Sequence, residues 1–300
     1  MPAIVRLNAE KHMKEIFYLN GKLLSRKEAK ISVLDYGFLF GFGLYETVRA
    51  YDGKPFRLEN HLARLRYSGE HLGIVIHTAL IRDAVNEVIK ANGFGQTRLR
   101  ICVSIGEGEM SPNLDSCKQP TIAILASEYK PPDREKYQSG YKAVLSSIRR
   151  NNLSPVTYLK SANTMESMLA RRDARDAGAD EAFFLNEKGC LTEAAGSNVF
   201  IVKDGVLKTP RYESGLLPGV TRVVLFELAA QLGLKVREVN CRLADLQQAD
   251  EVFITNSLIE IMPVTVFDGK PIGSNKSGTI TRKLMRAYRE LVSQETADIK

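Results

Sequence analysis

Two adjacent prolines, Pro131 and Pro132, stand inside the polar run from Tyr129 to Lys136. Proline locks φ and lacks an amide donor, so the pair opposes a helix and favours an extended link. Residues 129–138 are therefore expected to be an interdomain linker, with a small domain over 1–128 and a larger one over 139–300. A chain of 300 residues has room for both.

The first half mixes both periodicities. Asn20-Gly21 is a strong hairpin signal and predicts strands over 16–22 and 29–35. A glycine-broken loop from Asp35 runs into a strand that turns at Asp52-Gly53. The spacing of Leu62, Leu65 and Leu72 predicts a helix from Leu58 to Leu72. Leu80, Ile81, Val85, Val88 and Ile89 mark one side of a second helix over Thr78–Ala91, ended by Gly93 and Gly95. Alternation predicts strands at Thr97–Ile105 and Pro120–Ser127. The expected small domain is α+β. In the second half, strands are expected near 141–147, 181–185, 197–202 and 251–255, and helices over 165–177, 220–232 and 280–292. That alternation suggests an α/β large domain.

Composition removes several classes. Hydrophobic residues at 44% and charged residues at 26% allow a substantial core. No stretch approaches the roughly 18 apolar residues of a membrane span. Met1–Arg6 shows no apolar run before a small-residue cleavage site, so no secretory leader is expected. Cys102, Cys117, Cys190 and Cys241 are widely spaced, which argues against a disulfide framework or a zinc site. The expectation is a cytoplasmic protein with no metal. The net charge of +7 is diffuse, so neither nucleic acid nor membrane is an expected partner.

The candidate chemistry lies in separate segments. Lys160 stands in Pro155–Asn163, an amine before a predicted helix. To attack a carbonyl an amine must be neutral, and burial beside a cation favours that form. Glu193 supplies a carboxylate ahead of Ser197 and Asn198. Leu217-Pro218-Gly219-Val220-Thr221-Arg222 precedes a predicted helix, where exposed amides attract an anion and Gly219 allows close approach. Thr255-Asn256-Ser257 offers a second turn with hydroxyls. Arg64 is a guanidinium suited to a phosphate. Arg98 and Arg100 share a strand face and can meet one carboxylate. Each has a plainer reading: a solvated lysine, a turn glutamate, a capping turn, an exposed arginine.

As a set, these motifs resemble the class IV pyridoxal-phosphate enzymes, from about Ile16 to Val292. That family includes branched-chain aminotransferases, D-amino-acid transaminases and aminodeoxychorismate lyases. The resemblance implies a fold type IV, D-amino-acid-aminotransferase-like architecture and pyridoxal 5'-phosphate as cofactor, held in the interdomain cleft of a homodimer. Lys160, in the pattern K-x-x-N with Asn163, would be the catalytic residue, forming the Schiff base and moving a proton. Glu193, in T-E-x-x-x-S-N with Ser197 and Asn198, would keep the ring nitrogen protonated. Val220 and Thr221 would hold the phosphate beside Gly219, with Leu217 against the ring. Asn256 and Ser257 would close the phosphate cup, with Thr255 as an alternative, and Arg64 would reach it from the small domain. Tyr45 would line the substrate pocket and Arg100 would lie near the substrate carboxylate; Arg49 and Arg98 are further candidates for the substrate side. His61 reads as a structural hydrogen-bonding residue rather than a base.

The substrate side is mixed. Asn163 is followed by Thr164-Met165, where branched-chain enzymes usually carry Tyr-Leu. Gly106–Asn113 lacks the Arg-x-His trap of D-amino-acid transaminases. Asn256-Ser257-Leu258, Met262-Pro263-Val264 and Thr47 resemble the lyases. The implied activity is amino transfer between an amino acid, branched-chain or aliphatic, and a 2-oxo acid such as 2-oxoglutarate. The alternatives are 4-amino-4-deoxychorismate lysis with release of pyruvate, D-amino-acid transamination, and a non-catalytic carrier of the cofactor.

Overall fold

Asn20 and Gly21 both take positive φ, 44° and 87°, and close the first hairpin. A two-residue turn of this kind forces pairing to resume at once. β1 (Ile16–Leu19) therefore pairs with β2 (Lys22–Ser25), and the strand expected over 29–35 does not form. The structure is a computed structural model and describes residues 15–297. The opening Met1–Arg6, where no leader is expected, lies outside the described residues.

The chain divides into two compact units. Residues 15–130 with Lys160–Asn163 form one; Pro131–Leu159 with Thr164–Ala297 form the other.

In the first unit, Asp35 caps the short helix α1 (Tyr36–Leu39) by accepting from the Gly37 amide at 2.8 Å. β3 (Gly43–Tyr51) turns at Asp52-Gly53 into β4 (Lys54–Pro55). Helices α2 (Leu58–Leu72) and α3 (Thr78–Asn92) follow, then β5 (Gln96–Ser104) and β6 (Thr121–Glu128). The sheet order is β2-β1-β6-β5-β3-β4, antiparallel throughout. Leu44, Val48 and Ala50 of β3 join Leu62 and Leu65 of α2 and Ile81, Val85 and Val88 of α3 in one core. Strand alternation puts Glu46 on that face and Tyr45, Thr47 and Arg49 on the other. Leu80, expected on the apolar side of α3, is instead 43% exposed.

In the second unit the two prolines do not keep 129–138 extended. Helix α4 (Arg134–Ser139) begins two residues past Pro132, where proline no longer blocks a helical hydrogen bond. β7 (Tyr141–Arg150), α5 (Met165–Asp176), β8 (Glu181–Asn186) and β9 (Leu191–Ala194) follow. Next come β10 (Asn198–Lys203), β11 (Val206–Pro210), α6 (Val220–Gln231), β12 (Val236–Val239) and α7 (Leu243–Gln247). The chain continues through β13 (Glu251–Asn256), β14 (Glu260–Phe267), β15 (Lys270–Pro271) and α8 (Thr279–Glu295). The sheet runs β12-β11-β10-β13-β14-β7-β8-β9, with β15 on β14. β7 is parallel to both β8 and β14, and β11 is parallel to β12. β9 also packs against β10, so the sheet curls. Among the described residues no helix is long and apolar enough to cross a membrane.

Candidate active site

Lys160 is placed by β3. The Tyr45 amide donates to the Lys160 carbonyl at 2.9 Å, and the Ala162 amide donates to the Gly43 carbonyl at 2.8 Å. Asn163 adds a bond from Nδ2 to the Gly41 carbonyl at 3.3 Å. The lysine segment thus sits as a short bridge on the edge of β3. Lys160 is half-buried, with Nζ 4.6 Å from the centroid of the Tyr45 ring. The Arg100 guanidinium lies 3.8 Å from the same centroid. Among the described residues no carboxylate pairs with the Lys160 amine.

Behind β3, Glu46 is fully buried between α2 side chains. It accepts from Arg64 Nε at 2.8 Å, Arg64 Nη2 at 2.7 Å and His61 Nδ1 at 2.7 Å. Burial pushes its carboxyl up, but the charge and hydrogen bonds of Arg64, with those of His61, outweigh this and hold it at about 2. An ionised carboxylate only accepts, so the His61 nitrogen facing it carries a proton. Burial lowers His61; Glu46 opposes that, and the charges of Arg64 and Lys160 add to it. His61 is thus the hydrogen-bonding residue expected, and Lys160 lies within its electrostatic reach.

The other arginines separate. Arg100 pairs across the sheet with Thr47, on the face that carries Tyr45. Arg49 is 6% exposed, bonded to Gln96 at 2.9 Å and 3.2 Å and stacked near Tyr51 and Tyr129. Arg98 is exposed.

In the second unit, Glu193 lies on β9, a strand without visible alternation because all four of its residues are buried. Its Oε1 accepts from Arg150 Nη2 at 3.0 Å and its Oε2 from the Leu217 amide at 3.0 Å. The acidic motif is thereby tied to the turn that opens α6. Asn198 ties it again, donating to the Leu217 carbonyl at 2.9 Å. A Cβ on Gly219 would stand 2.0 Å from Asn198 Oδ1, so only glycine allows this approach. The amides of Val220 and Thr221 open a 12-residue helix with no side-chain cap, a ready site for an anion. Thr255 is the cross-strand partner of Asn198, and its buried Oγ1 has no hydrogen-bond partner. This uncapped helix start, close backbone approach and orphaned hydroxyl fit a phosphate. Asn256 is otherwise engaged: Nδ2 donates to the Gly196 carbonyl and Ser197 Oγ, and Oδ1 accepts from the Leu258 and Ile259 amides. Ser257 is half-buried beside it.

Two residues of this chemistry, Arg150 and Glu46, lie outside the motifs read from the sequence. Arg150 lies 43 positions before its partner Glu193, and no local pattern announces it. Glu46 had a signal: an acid in the apolar register Leu44-x-Glu46-x-Val48-x-Ala50 must be buried, and therefore paired.

The amino-transferase class IV family matches residues 43–267. The chain belongs to that family. A Methanocaldococcus jannaschii protein provisionally named a branched-chain-amino-acid aminotransferase is 40% identical over 279 residues, 91% of this chain and 95% of that one. The aminodeoxychorismate lyase of Bacillus subtilis is 33% identical over 279 residues, 92% of this chain and 94% of its own. Among solved structures, a T.th. branched-chain amino acid aminotransferase with pyridoxamine 5'-phosphate superposes with a TM-score of 0.88 at 31% identity, covering 94% of this chain and 95% of that one. The class IV aminotransferase is therefore of fold type IV, as its motifs imply.

Proposed function

We infer that this class IV aminotransferase uses pyridoxal 5'-phosphate to move an amino group between a branched-chain or aliphatic amino acid and a 2-oxo acid such as 2-oxoglutarate. The observation that carries the reading is Lys160, a half-buried amine with no carboxylate partner among the described residues, pinned to β3 beside Tyr45. When bound, the cofactor supplies an electron sink for the bond being broken. Lys160 would be the residue that binds its carbonyl, and its Nζ would hold the proton to be moved. Glu193 would hold the ring nitrogen, and Leu217 would pack on the ring. The amides of Val220 and Thr221, the Thr221 hydroxyl and the space at Gly219 would receive the phosphate. Thr255 and Ser257 add hydroxyls, Asn256 shapes their turn with Ser197 and Asn198, and Arg64 contributes its charge. Arg100, beside Tyr45 and Lys160, is the arginine best placed for the substrate carboxylate, ahead of Arg98 and the buried Arg49. We read the protein as a cytoplasmic homodimer; Val33, Phe38 and Met110, 72%, 67% and 83% exposed, are apolar side chains such an assembly would cover.

A lyase acting on aminodeoxychorismate is the second reading. It is favoured by the Bacillus subtilis relative and by Thr47, which shares a sheet face with Tyr45 and Arg100.

Absorbance changes of the bound cofactor with L-leucine, D-alanine and L-glutamate test the assignment. L-leucine and L-glutamate should each convert it to the pyridoxamine form, and Lys160→Ala should abolish both conversions. Conversion by D-alanine alone would make it a D-amino-acid enzyme. Pyruvate released from aminodeoxychorismate with no keto acid present would overturn the transaminase reading.

A further inference from the structure

We propose that Arg150 is a positioning residue that aims the Glu193 carboxylate at the cofactor's ring nitrogen. The proposal rests on the reading that Glu193 faces that nitrogen.

Arg150 is the last residue of β7, and Glu193 lies two strands away on β9. To reach it, the arginine crosses β8 over Phe184, with its guanidinium carbon 4.4 Å from the ring centroid. Phe184 is fully buried among Ala170, Ala174, Ala182 and Ala195, so the platform is rigid. The fork then divides. Nη2 donates to Glu193 Oε1 at 3.0 Å, and Nη1 donates to Glu166 Oε2 at 2.9 Å. The Leu217 amide holds the other Glu193 oxygen at 3.0 Å. Both oxygens are gripped from different segments, which fixes the carboxylate plane. A carboxylate oxygen has two lone pairs, so holding it in one direction also sets the direction in which it meets an N–H donor.

Two features point to purpose beyond packing. Arg150 Nε is buried without a hydrogen-bond partner. The guanidinium leaves that donor unsatisfied while its two Nη atoms reach Glu166 and Glu193. The charges also suit the ligand. Glu166, Arg150 and Glu193 sum formally to one negative charge, which matches one protonated ring nitrogen. Glu166 is 48% exposed and screened by water, so the Glu193 end dominates.

The test is binding, measured by fluorescence titration of the apoenzyme with pyridoxal phosphate, its N1-methyl analogue and inorganic phosphate. The methylated ring keeps its charge but has no N–H to offer Glu193. The wild-type protein should prefer the unmethylated cofactor. Arg150→Lys, which keeps the charge and loses the fork, should weaken pyridoxal phosphate about 10–100-fold, as is typical when a partner that orients a binding group is lost. It should leave inorganic phosphate unchanged and shrink the preference over the methyl analogue. Arg150→Met should do the same more strongly; if it does not fold, the lysine variant carries the test. Equal weakening of all three ligands would assign Arg150 a structural role and overturn the proposal, as would unaltered binding. Glu193→Gln separates the underlying reading: if it too keeps the wild-type preference, Glu193 does not face the ring nitrogen. If Glu193→Gln loses the preference and Arg150→Lys keeps it, only the role of Arg150 falls.

Discussion

At Glu46 one acidic side chain decides how β3 meets α2. It carries charge into a core whose other β3 members are apolar, and it stays charged because Arg64 and His61 bring donors to both oxygens. The fall from the ordinary value of 4.5 to about 2 is worth on the order of 3 kcal/mol of folding stability. A lowered carboxyl gives that stability in full above 4.5 and loses it as pH falls toward about 2. His61 acts in the same direction. Burial lowers it from 6.5, so below that pH the unfolded chain takes up a proton that the folded one resists. Urea midpoints measured from pH 7 to pH 2 should therefore decline from about pH 6.5 and more steeply below 4.5. Glu46→Gln should start about 3–5 kcal/mol lower, because it removes the buried carboxylate that pairs with the half-buried Arg64. It should also lose the steep acid phase; an undiminished phase would assign the acid sensitivity to other groups.

At the scale of the element, α6 matters for how it begins. Its first turn has free amides, and Gly219 lets Asn198 lie against the entry. Gly219→Ala would drive a methyl to 2.0 Å from Asn198 Oδ1 and break the bond from Asn198 to the Leu217 carbonyl. Overpacking of this kind costs about 1–3 kcal/mol. We expect inorganic phosphate and pyridoxal phosphate to bind at least about tenfold more weakly, since about 1.4 kcal/mol is a factor of ten. Wild-type phosphate affinity in a folded Gly219→Ala protein would remove this turn from the anion site. Elements with one wet face were legible in the sequence: α2 spans Leu58–Leu72, as its leucine spacing predicts. β8 is buried on both faces and was legible as an apolar run, but β9 and β14 were not: Thr192 and Glu193 break the run in one and Pro263 in the other. The strand expected at 29–35 failed because a two-residue turn claims the next four residues for pairing.

At the scale of the whole molecule, the chain leaves the second unit for four residues and packs Lys160–Asn163 on the first. Two backbone hydrogen bonds to β3 hold that excursion. Ala162→Pro removes the donor to the Gly43 carbonyl, 2.8 Å away, without touching the lysine itself. We expect borohydride fixation of the cofactor to slow about 100-fold, the scale seen when a reacting group shifts by an ångström. Global stability should fall by only about 1 kcal/mol, the usual net worth of one hydrogen bond. Fixation at the wild-type rate would show that the backbone bridge does not position the amine.

The sequence alone determined the local matters. Periodicity marked the long helices, Asn-Gly and Asp-Gly marked two turns, and the motifs around Lys160, Glu193 and Gly219 pointed to the family, because these features act over a few residues. Only the tertiary structure decided who partners whom. It set Arg64 and His61 on Glu46, Arg150 on Glu193, and Lys160 on the edge of β3. A charged group's partner is fixed by what folding buries beside it, and strand order, not sequence distance, sets that.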